Sequence, residues 1–256
     1  MKTNIILFLG AIFFLSISGT SCRKSQINNV ISDGIPERGG LALTFDDYNI
    51  DNWFSYIGLL DSAKVKCTFY VSNYNKLSTN QKEKLLQLQD HGHEIAFHSS
   101  NHKNFVEKMQ SHGFKKLMEE EIVSGLQLMH NDGLFPKTFA YPYGAHNLIM
   151  DKVLLKKFKS VRTLNGTHDL NNSLCPLSGN TVIRGLGIDE SSKRSLSGIN
   201  TLLSSASELN HCAVLLIHNI EAKRTNLQLP LWKFRNILVK AKSLHLHFYT
   251  VSEISK

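Results

Sequence analysis

Short apolar runs alternate with segments of helical periodicity along the chain from Gly39 onward. The short runs are rich in β-branched and aromatic residues, which favours strands, whereas the longer segments repeat apolar residues every three or four positions, as amphipathic helices do. Strands are predicted over residues 41–45, 66–72, 94–97, 138–141, 160–164, 182–188, 213–217 and 247–251. Helices are predicted over residues 53–60, 81–89, 114–129, 148–158, 195–209 and 231–244, and a polar loop over 165–180.

Regular alternation of strands and helices is typical of a parallel sheet covered by helices. With roughly eight strands in about 215 residues, the pattern fits one α/β barrel better than two domains. The predicted fold is therefore a single-domain (β/α) barrel over residues 39–256.

The first 21 residues have the pattern of a secretory signal peptide. Lys2 precedes the apolar run Ile5 to Ile17, and small polar residues follow it. The alternative is a membrane anchor, but the run is shorter than the ~20 residues needed to cross a bilayer. We therefore expect an exported protein, with residues 22–38 serving as a tether.

Cys22 directly follows the small residues, as in bacterial lipoprotein signals, where the cysteine is acylated. The alternative is ordinary cleavage near Thr20, which leaves Cys22 as a spare thiol. We expect the lipidated form, anchored through Cys22 in a bacterial cell envelope, in the periplasm or on the cell surface.

Composition and charge narrow the class of partner. The chain is 42% apolar and 20% charged, which is typical of a globular protein. Removing residues 1–21 takes away one lysine and no acid, which lowers the formal charge from +8 to +7. This charge suits anionic surfaces. Because the export signal removes the chain from nucleic acid, we expect no nucleic-acid partner. The expected oligomeric state is a monomer.

Three further cysteines match neither a metal motif nor a disulfide framework. Cys67 lies in an apolar run and is predicted to be a core residue. Cys175 and Cys212 either pair in an oxidising compartment or stay free.

Four groups of polar residues follow predicted strands, where α/β barrels carry their catalytic residues. Asp46 and Asp47 end the first strand. Neighbouring side chains on a strand point in opposite directions, so both can serve one site only if the strand ends between them. A divalent metal on one carboxylate would leave the other free as a base; the alternative is a solvated turn.

The third strand is followed by His98 and His102, four residues apart. On one face of a helical turn, such a pair can share a metal. Two His and one Asp leave an open position for water, as in catalytic zinc sites. The alternative is a pair of surface histidines.

Two more strands end in candidate groups. The sequence from Tyr141 to Gly144 forms a Pro-restricted turn that can present the Tyr143 N–H to an oxyanion, or can simply end a strand. His218 follows an apolar strand and can act as a general acid or as a buried, hydrogen-bonded histidine.

In their order along the chain, the four groups resemble the motifs of the polysaccharide deacetylase family, also called carbohydrate esterase family 4 or the NodB homology domain. The motifs are TFDD at 44–47, HSSNH at 98–102, YPYG at 141–144 and LLIH at 215–218. The resemblance covers about residues 39–254 and implies a distorted (β/α)7–8 barrel.

Each candidate residue then has an implied role. Asp46 matches the catalytic base, His218 the general acid and Tyr143 the backbone donor to the oxyanion. Leu216 and Pro142 are the expected substrate-binding residues. The implied metal ligands are Asp47, His98 and His102, for Zn²⁺ or for Co²⁺ or Ni²⁺, with Ser99 bracing their loop.

Two departures from the family pattern concern residues around Asp46 and His218. Many members have an Arg where Ala140 stands, and this Arg holds the catalytic base. Arg162 or Arg184 could supply the missing charge. The motif whose Asp tunes the general acid has no identified counterpart within residues 165–190.

The resemblance implies a hydrolase that removes acetyl groups from N-acetylglucosamine residues of a cell-wall or exported polysaccharide. Two alternatives stay open. One is an O-acetyl esterase acting on a plant-type glycan such as xylan. The other is a catalytically silent glycan-binding lipoprotein, which would explain the absent Arg at Ala140.

Overall fold

The computed structural model of the protein describes residues 39–222 and 225–255. Its strands are β1 Gly40–Asp47, β2 Cys67–Val71, β3 Glu94–Phe97, β4 Thr138–Ala140, β5 Ser160–Leu164, β6 Leu174–Cys175, β7 Val182–Gly187, β8 Cys212–Ile217 and β9 His247–Phe248. Its helices are α1 Ile50–Ser55, α2 Ile57–Ala63, α3 Thr79–Asp90, α4 Phe105–His112, α5 Phe114–Met118, α6 Ser124–Asn131, α7 Leu148–Leu154, α8 Leu196–Glu208, α9 Leu231–Ser243 and α10 Val251–Ile254.

Seven parallel strands close into a barrel. Their order is β1-β2-β3-β4-β5-β7-β8, and β8 returns to pair with β1 from Gly40 opposite Cys212 to Phe45 opposite Ile217. The prediction of a single-domain (β/α) barrel with seven or eight strands is confirmed, with seven strands in the closed sheet.

Two strands of two residues each lie outside this closed sheet. β6 runs antiparallel to the first residues of β8, and β9 pairs with the first residues of β1. The predicted strand over 247–251 is too long. The observed strand stops at Phe248, because Thr250 and Glu253 form a capping box that starts α10. In this box the Thr250 N–H donates to the Glu253 carboxylate at 2.7 Å.

Alternate residues of each barrel strand face opposite sides of the sheet. The outer side packs against the helices in the main apolar core, which includes Leu43 and Phe45 of β1. The inner side belongs to a smaller cluster with several small residues, among them Ala42, Ala96 and Ala140. Small side chains leave room inside the barrel for a few large polar residues.

Three further differences from the predicted elements lie between the strands. The sequence analysis missed α4, whose N-terminus is capped by Asn104 accepting from the next N–H groups. The predicted helix over 114–129 is interrupted by a π-helical turn, Glu119–Val123. The predicted loop over 165–180 contains the 3-10 turn Leu170–Ser173 and β6.

The predicted signal peptide, the acylated Cys22 and the tether over 22–38 lie outside the described residues. Within the described ranges, no helix combines the length and apolar character needed to span a membrane. Cys67 is buried in the core, as predicted. Cys175 and Cys212 are direct partners across β6 and β8, and both are free thiols.

His93, just before β3, gives a pH-dependent contribution to stability. Its Nδ1 accepts a hydrogen bond from the Cys67 N–H at 3.1 Å, and burial lowers its pKa from 6.5 to about 4. Between these pH values the unfolded chain binds a proton that the folded chain does not. The free energy of unfolding therefore falls as pH falls, by as much as about 3 kcal/mol from this residue.

We predict that His93→Gln loses less stability between pH 7 and about pH 4.5 than the wild type, by about 2 kcal/mol. Urea unfolding at both pH values measures the difference. His130→Gln, at an exposed histidine, is the control and should keep the wild-type pH dependence. An unchanged pH dependence in His93→Gln would mean that His93 does not hold its neutral form in the folded state.

Candidate active site

The alternation along the strands brings residues from distant parts of the chain to one end of the barrel interior. Asp46, Leu216 and Arg162 lie on the inner side of β1, β8 and β5, and His98 directly follows β3. They meet at the C-terminal ends of the strands in a cavity of about 520 Å³. The cavity is lined by Asp46, Asp47, His98, His102, Tyr141, Tyr143, Gly144, Arg162, Leu164, Asn165, Gly187, Asp189, Ser191, Ser192, Arg194, Leu216, His218 and Leu227.

The sequence analysis required the first strand to end between Asp46 and Asp47 if both carboxylates were to serve one site. The strand does not end there. β1 continues through Asp47, which still pairs with Val71. Asp47 instead has φ 88°, a left-handed conformation that is unusual for a residue with a side chain. This backbone turn breaks the strand alternation, so that both carboxylates line the cavity.

A loop, and not the predicted helical turn, carries the two histidines. Residues 98–104 contain no helix, and both Ser99 and His102 have positive φ, 66° and 53°. The Ser99 hydroxyl accepts a hydrogen bond from the His102 N–H at 2.9 Å. This contact closes the loop and brings the two rings to 4.9 Å between centroids, and it is the bracing predicted for Ser99.

The π-helical turn fixes this loop from the other side. Glu121 lies in this turn and points inward, so that only 1% of the residue is exposed. The Glu121 carboxylate accepts from the N–H and the side-chain amide of Asn101, and the Glu121 carbonyl accepts from the Ser100 N–H. An irregular turn inside a helix therefore positions the residues between His98 and His102.

Asp47, His98 and His102 offer three ligand atoms that lie within 4.8 Å of one another. The Nδ1–H of His98 donates to the Ala140 carbonyl at 2.8 Å, which leaves Nε2 with its lone pair directed to the carboxylates. The His102 Nε2 lies 3.1 Å from Asp47 Oδ1. Buried oxygens on Asp46 and Asp47 have no hydrogen-bond partner, so the donor set fits a divalent metal.

The protonation states agree with metal binding at neutral pH. Burial lowers the pKa of His98 to about 4. Burial alone would raise the pKa of Asp47, but the contact with His102 and the neighbouring histidine charges lower it to about 2. An anionic carboxylate and a neutral imidazole are the forms that coordinate metals.

Arg162 supplies the positive charge that is missing at Ala140. Its guanidinium is fully buried and donates to the Asp46 carboxylate. Arg162 and Ala140 are direct partners across β4 and β5, so the charge has moved by one strand while its target stays the same. Arg184, the other candidate, is exposed and does not line the cavity.

Two neighbours shape the space that Arg162 occupies. Its guanidinium carbon lies 5.1 Å above the centre of the Tyr70 ring, in a cation–π contact. On the adjacent strand, a Cβ at Gly185 would come within 2.9 Å of the Arg162 Cδ. Gly185 therefore leaves the space through which Arg162 reaches Asp46.

His218 directly follows β8, the strand that pairs with β1, and three hydrogen-bond contacts hold it. Asp189 accepts from its N–H at 3.2 Å and contacts its Nδ1 at 2.5 Å, and the Trp53 indole donates to its carbonyl at 2.8 Å. Its Nε2 is left facing the metal ligands, 4.0 Å from Asp47 Oδ2. Burial alone would lower the pKa of His218, but Asp189 and the two aspartates of β1 raise it to about 9.

Of the two predicted site residues in the turn after β4, Tyr143 lines the cavity and Pro142 does not. Tyr143 lines the cavity in a left-handed conformation, with φ 59°, and its ring lies 4.8 Å from the His102 ring. Pro142 is buried and does not line the cavity, so the geometry gives it a place in the turn and no contact surface for a substrate. Leu216, the other predicted substrate-binding residue, lines the cavity.

Asp189 is the site residue that sequence reasoning missed. It stands two residues beyond β7, so the strand-end rule that found the other groups applies to it as well. A signal for Arg162 was also present, because a charged residue inside a short apolar strand needs a buried partner. Which arginine meets Asp46 depends on strand pairing that the sequence does not display.

The profile of the family described as Polysaccharide deacetylase matches residues 33–158, which contain Asp46, Asp47 and both metal-site histidines. The chain belongs to the polysaccharide deacetylase family. Membership supports a metal-dependent deacetylase activity, in agreement with the Asp-His-His group. Comparison with curated protein sequences gives no match.

Solved structures of a carbohydrate esterase and of two deacetylases have the same fold as this member of the family. The family 4 carbohydrate esterase from Streptomyces lividans aligns with TM-score 0.57 and 19% identity, over 84% of this chain and 94% of its own. The chitin deacetylase from Colletotrichum lindemuthianum gives 0.61 and 17%, over 84% and 87%. The peptidoglycan deacetylase PdaC from Bacillus subtilis gives 0.57 and 18%, over 86% and 91%.

We predict that Arg162→Met lowers the free energy of unfolding by about 3 kcal/mol, because it leaves the Asp46 carboxylate buried and unpaired. Adding Asp46→Asn should recover part of this loss. Denaturant unfolding of the metal-free single and double variants measures the coupling. The control Arg184→Met, at the exposed arginine, should change stability by less than about 0.5 kcal/mol. Additive effects of the Asp46 and Arg162 substitutions would contradict the pairing.

We predict that, after loading with zinc, Asp47→Ala and His102→Ala each fail to retain the ion, because each removes one of three candidate ligands. Metal analysis after dialysis against a weak chelator gives the stoichiometry, which should fall from about one ion per chain to near zero. His91→Ala removes an exposed histidine far from the cavity and should retain the metal. Full zinc content in both ligand variants would rule out this donor set.

Proposed function

We propose that the protein removes N-linked acetyl groups from N-acetylglucosamine residues of an exported or cell-wall polysaccharide. The observation that carries this proposal is that one cavity is lined by Asp46, with a buried unpartnered oxygen, by a metal donor set and by His218. Amide hydrolysis needs a base for water and an acid for the departing amine, and both residues line the cavity that contains the metal donor set.

A divalent metal held by Asp47, His98 and His102 would polarise the acetyl carbonyl and acidify a water molecule. Zn²⁺ is the proposed ion, with Co²⁺ or Ni²⁺ as alternatives, because two imidazoles and one carboxylate suit these metals. The ligand residues are fixed from behind by the Ala140 carbonyl and the Ser99 hydroxyl.

Asp46 is the proposed general base. One of its oxygens is occupied by the Arg162 guanidinium, and the other is buried without a partner. The contact with Arg162 fixes the orientation of the carboxylate and leaves one oxygen to accept the proton of the attacking water.

His218 is the proposed general acid. At neutral pH its raised pKa keeps the ring protonated. The contact between Nδ1 and Asp189 orients the ring, so that the Nε2–H is the proton available to the departing amine. Asp189 is in this role a positioning residue, because it acts through His218.

The remaining cavity residues would bind the reacting group. The Tyr143 backbone N–H is the proposed donor to the oxyanion that develops on the acetyl carbonyl. Leu216 is 3% exposed at the cavity wall and offers an apolar contact for the acetyl methyl group. Pro142 contributes through the turn that presents Tyr143.

The silent-binder alternative rested on the absent Arg at Ala140. Arg162 now provides this charge on the same Asp46, which removes that argument. Hydrolysis of an O-acetyl ester would use the same residues, so the two chemistries are separated by substrate and not by site geometry.

We also propose that the protein is exported and lipid-anchored through Cys22. This proposal rests on the apolar run at 5–17 and the small residues before Cys22. Residues 22–38 would connect the anchor to the first residues of β1.

We predict that the purified protein releases acetate from N-acetylglucosamine oligomers and that a chelator abolishes the release, with recovery on adding zinc. Asp46→Asn should lower kcat by about 10³-fold and His218→Ala by about 10²-fold or more, the range for a lost general base or acid. Acetate is measured by a coupled assay, and His91→Ala serves as control.

Two outcomes would redirect the assignment. Acetate release from an O-acetylated xylan, without release from the N-acetyl oligomer, would favour the esterase. No release from either substrate with zinc bound would favour the silent binder.

A further inference from the structure

One loop carries both the residue that orients His218 and a second arginine of the cavity. The loop joins β7 to α8 and contains Asp189 and Arg194. Asp189 is buried beneath the cavity, whereas Arg194 is half-buried in its wall. A substrate positioned for attack beside His218 therefore lies against the same loop as Arg194.

Arg194 is held by its own backbone and side chain. Its N–H donates to the Ser192 hydroxyl at 3.3 Å, and its carbonyl accepts from the buried Lys233 ammonium at 2.6 Å. Its Nη2 donates to the Thr167 carbonyl at 3.3 Å. The guanidinium is therefore restricted before any ligand arrives, which lowers the entropic cost of using it for binding.

No carboxylate of the described residues pairs with the Arg194 guanidinium. The acidic residues of its own loop are engaged elsewhere, Asp189 with His218 and Glu190 with the Gln228 amide. The other arginine that lines the cavity, Arg162, is committed to Asp46. Arg194 thus offers the cavity a fixed positive charge and N–H donors that no carboxylate of the described chain uses.

We propose that Arg194 binds a carboxylate on the glycan, so that the preferred substrate is an acidic polysaccharide. The planar guanidinium can donate two parallel hydrogen bonds to a carboxylate, which gives direction as well as charge attraction. A single arginine matches a singly charged carboxylate, and the positive charge of the whole chain favours approach of an acidic polymer. This inference names the substrate class of the proposed deacetylase and rests on that function.

The test compares two ligands that differ in one charge. An N-acetylglucosamine tetramer oxidised to the C6 carboxylate on one residue next to an acetylated unit is matched with its methyl ester. Binding of each to the detergent-solubilised, metal-free full chain is measured by calorimetry. We expect the acid to bind about tenfold more tightly than the ester, as for one hydrogen bond to a charged group.

Arg194→Gln should bring the ratio of acid to ester affinity close to one, and Arg194→Lys should restore part of it. Lys193→Gln removes an exposed neighbouring charge that does not line the cavity and should keep the wild-type ratio. Increasing salt should reduce the ratio in the wild type and leave it unchanged in Arg194→Gln.

Equal binding of acid and ester by the wild type, or the same preference in Arg194→Gln, would overturn the proposal. Because binding is measured without metal and without turnover, the result does not depend on the deacetylase assay. Acid-selective binding without acetate release would contradict the proposed function and keep Arg194 as a carboxylate site. Acetate release without acid-selective binding would support the proposed function and overturn the assignment of Arg194 as a carboxylate site.

Discussion

The buried contact between Asp46 and Arg162 is the interaction on which the arrangement of the site depends. It places a negative and a positive charge inside a barrel whose other inner residues include Ala42, Ala96 and Ala140. A buried charge is costly unless it is paired, so removing either residue alone destabilises the fold. The small side chains and Gly185 provide the space that the pair requires.

Three side chains of the cavity are each held through one atom by a neighbouring group and are open to the cavity through another. The Nδ1–H of His98 donates to a backbone carbonyl, and the Nδ1 of His218 contacts the Asp189 carboxylate. One oxygen of Asp46 accepts from the Arg162 guanidinium. The remaining atom of each therefore has a fixed direction before substrate binds. Such preorganisation is the main means by which a rigid barrel lowers the barrier of a hydrolytic reaction.

The positive charge beside Asp46 is present, but it comes from a different residue than in many members of the family. The guanidinium beside Asp46 comes from Arg162 on β5 and not from the paired position, Ala140, on β4. Because the two positions are direct partners in the sheet, both can reach the same point of the barrel interior. An absent motif residue is therefore weak evidence for lost activity until the neighbouring strands have been considered.

The sequence by itself determined the alternation of strands and helices, the single α/β domain and most of the candidate site. Apolar periodicity and strand-end polar residues are local patterns, and they located Asp46, Asp47, His98, His102 and His218. Only the tertiary structure decided that seven strands close, that Arg162 and not Arg184 meets Asp46, and that Asp189 holds His218. These contacts join residues far apart in the chain, and the left-handed turns at Asp47 and Ser99 redirect side chains against the local rule. Both follow from strand register and from the whole packed barrel, which no short stretch of sequence encodes.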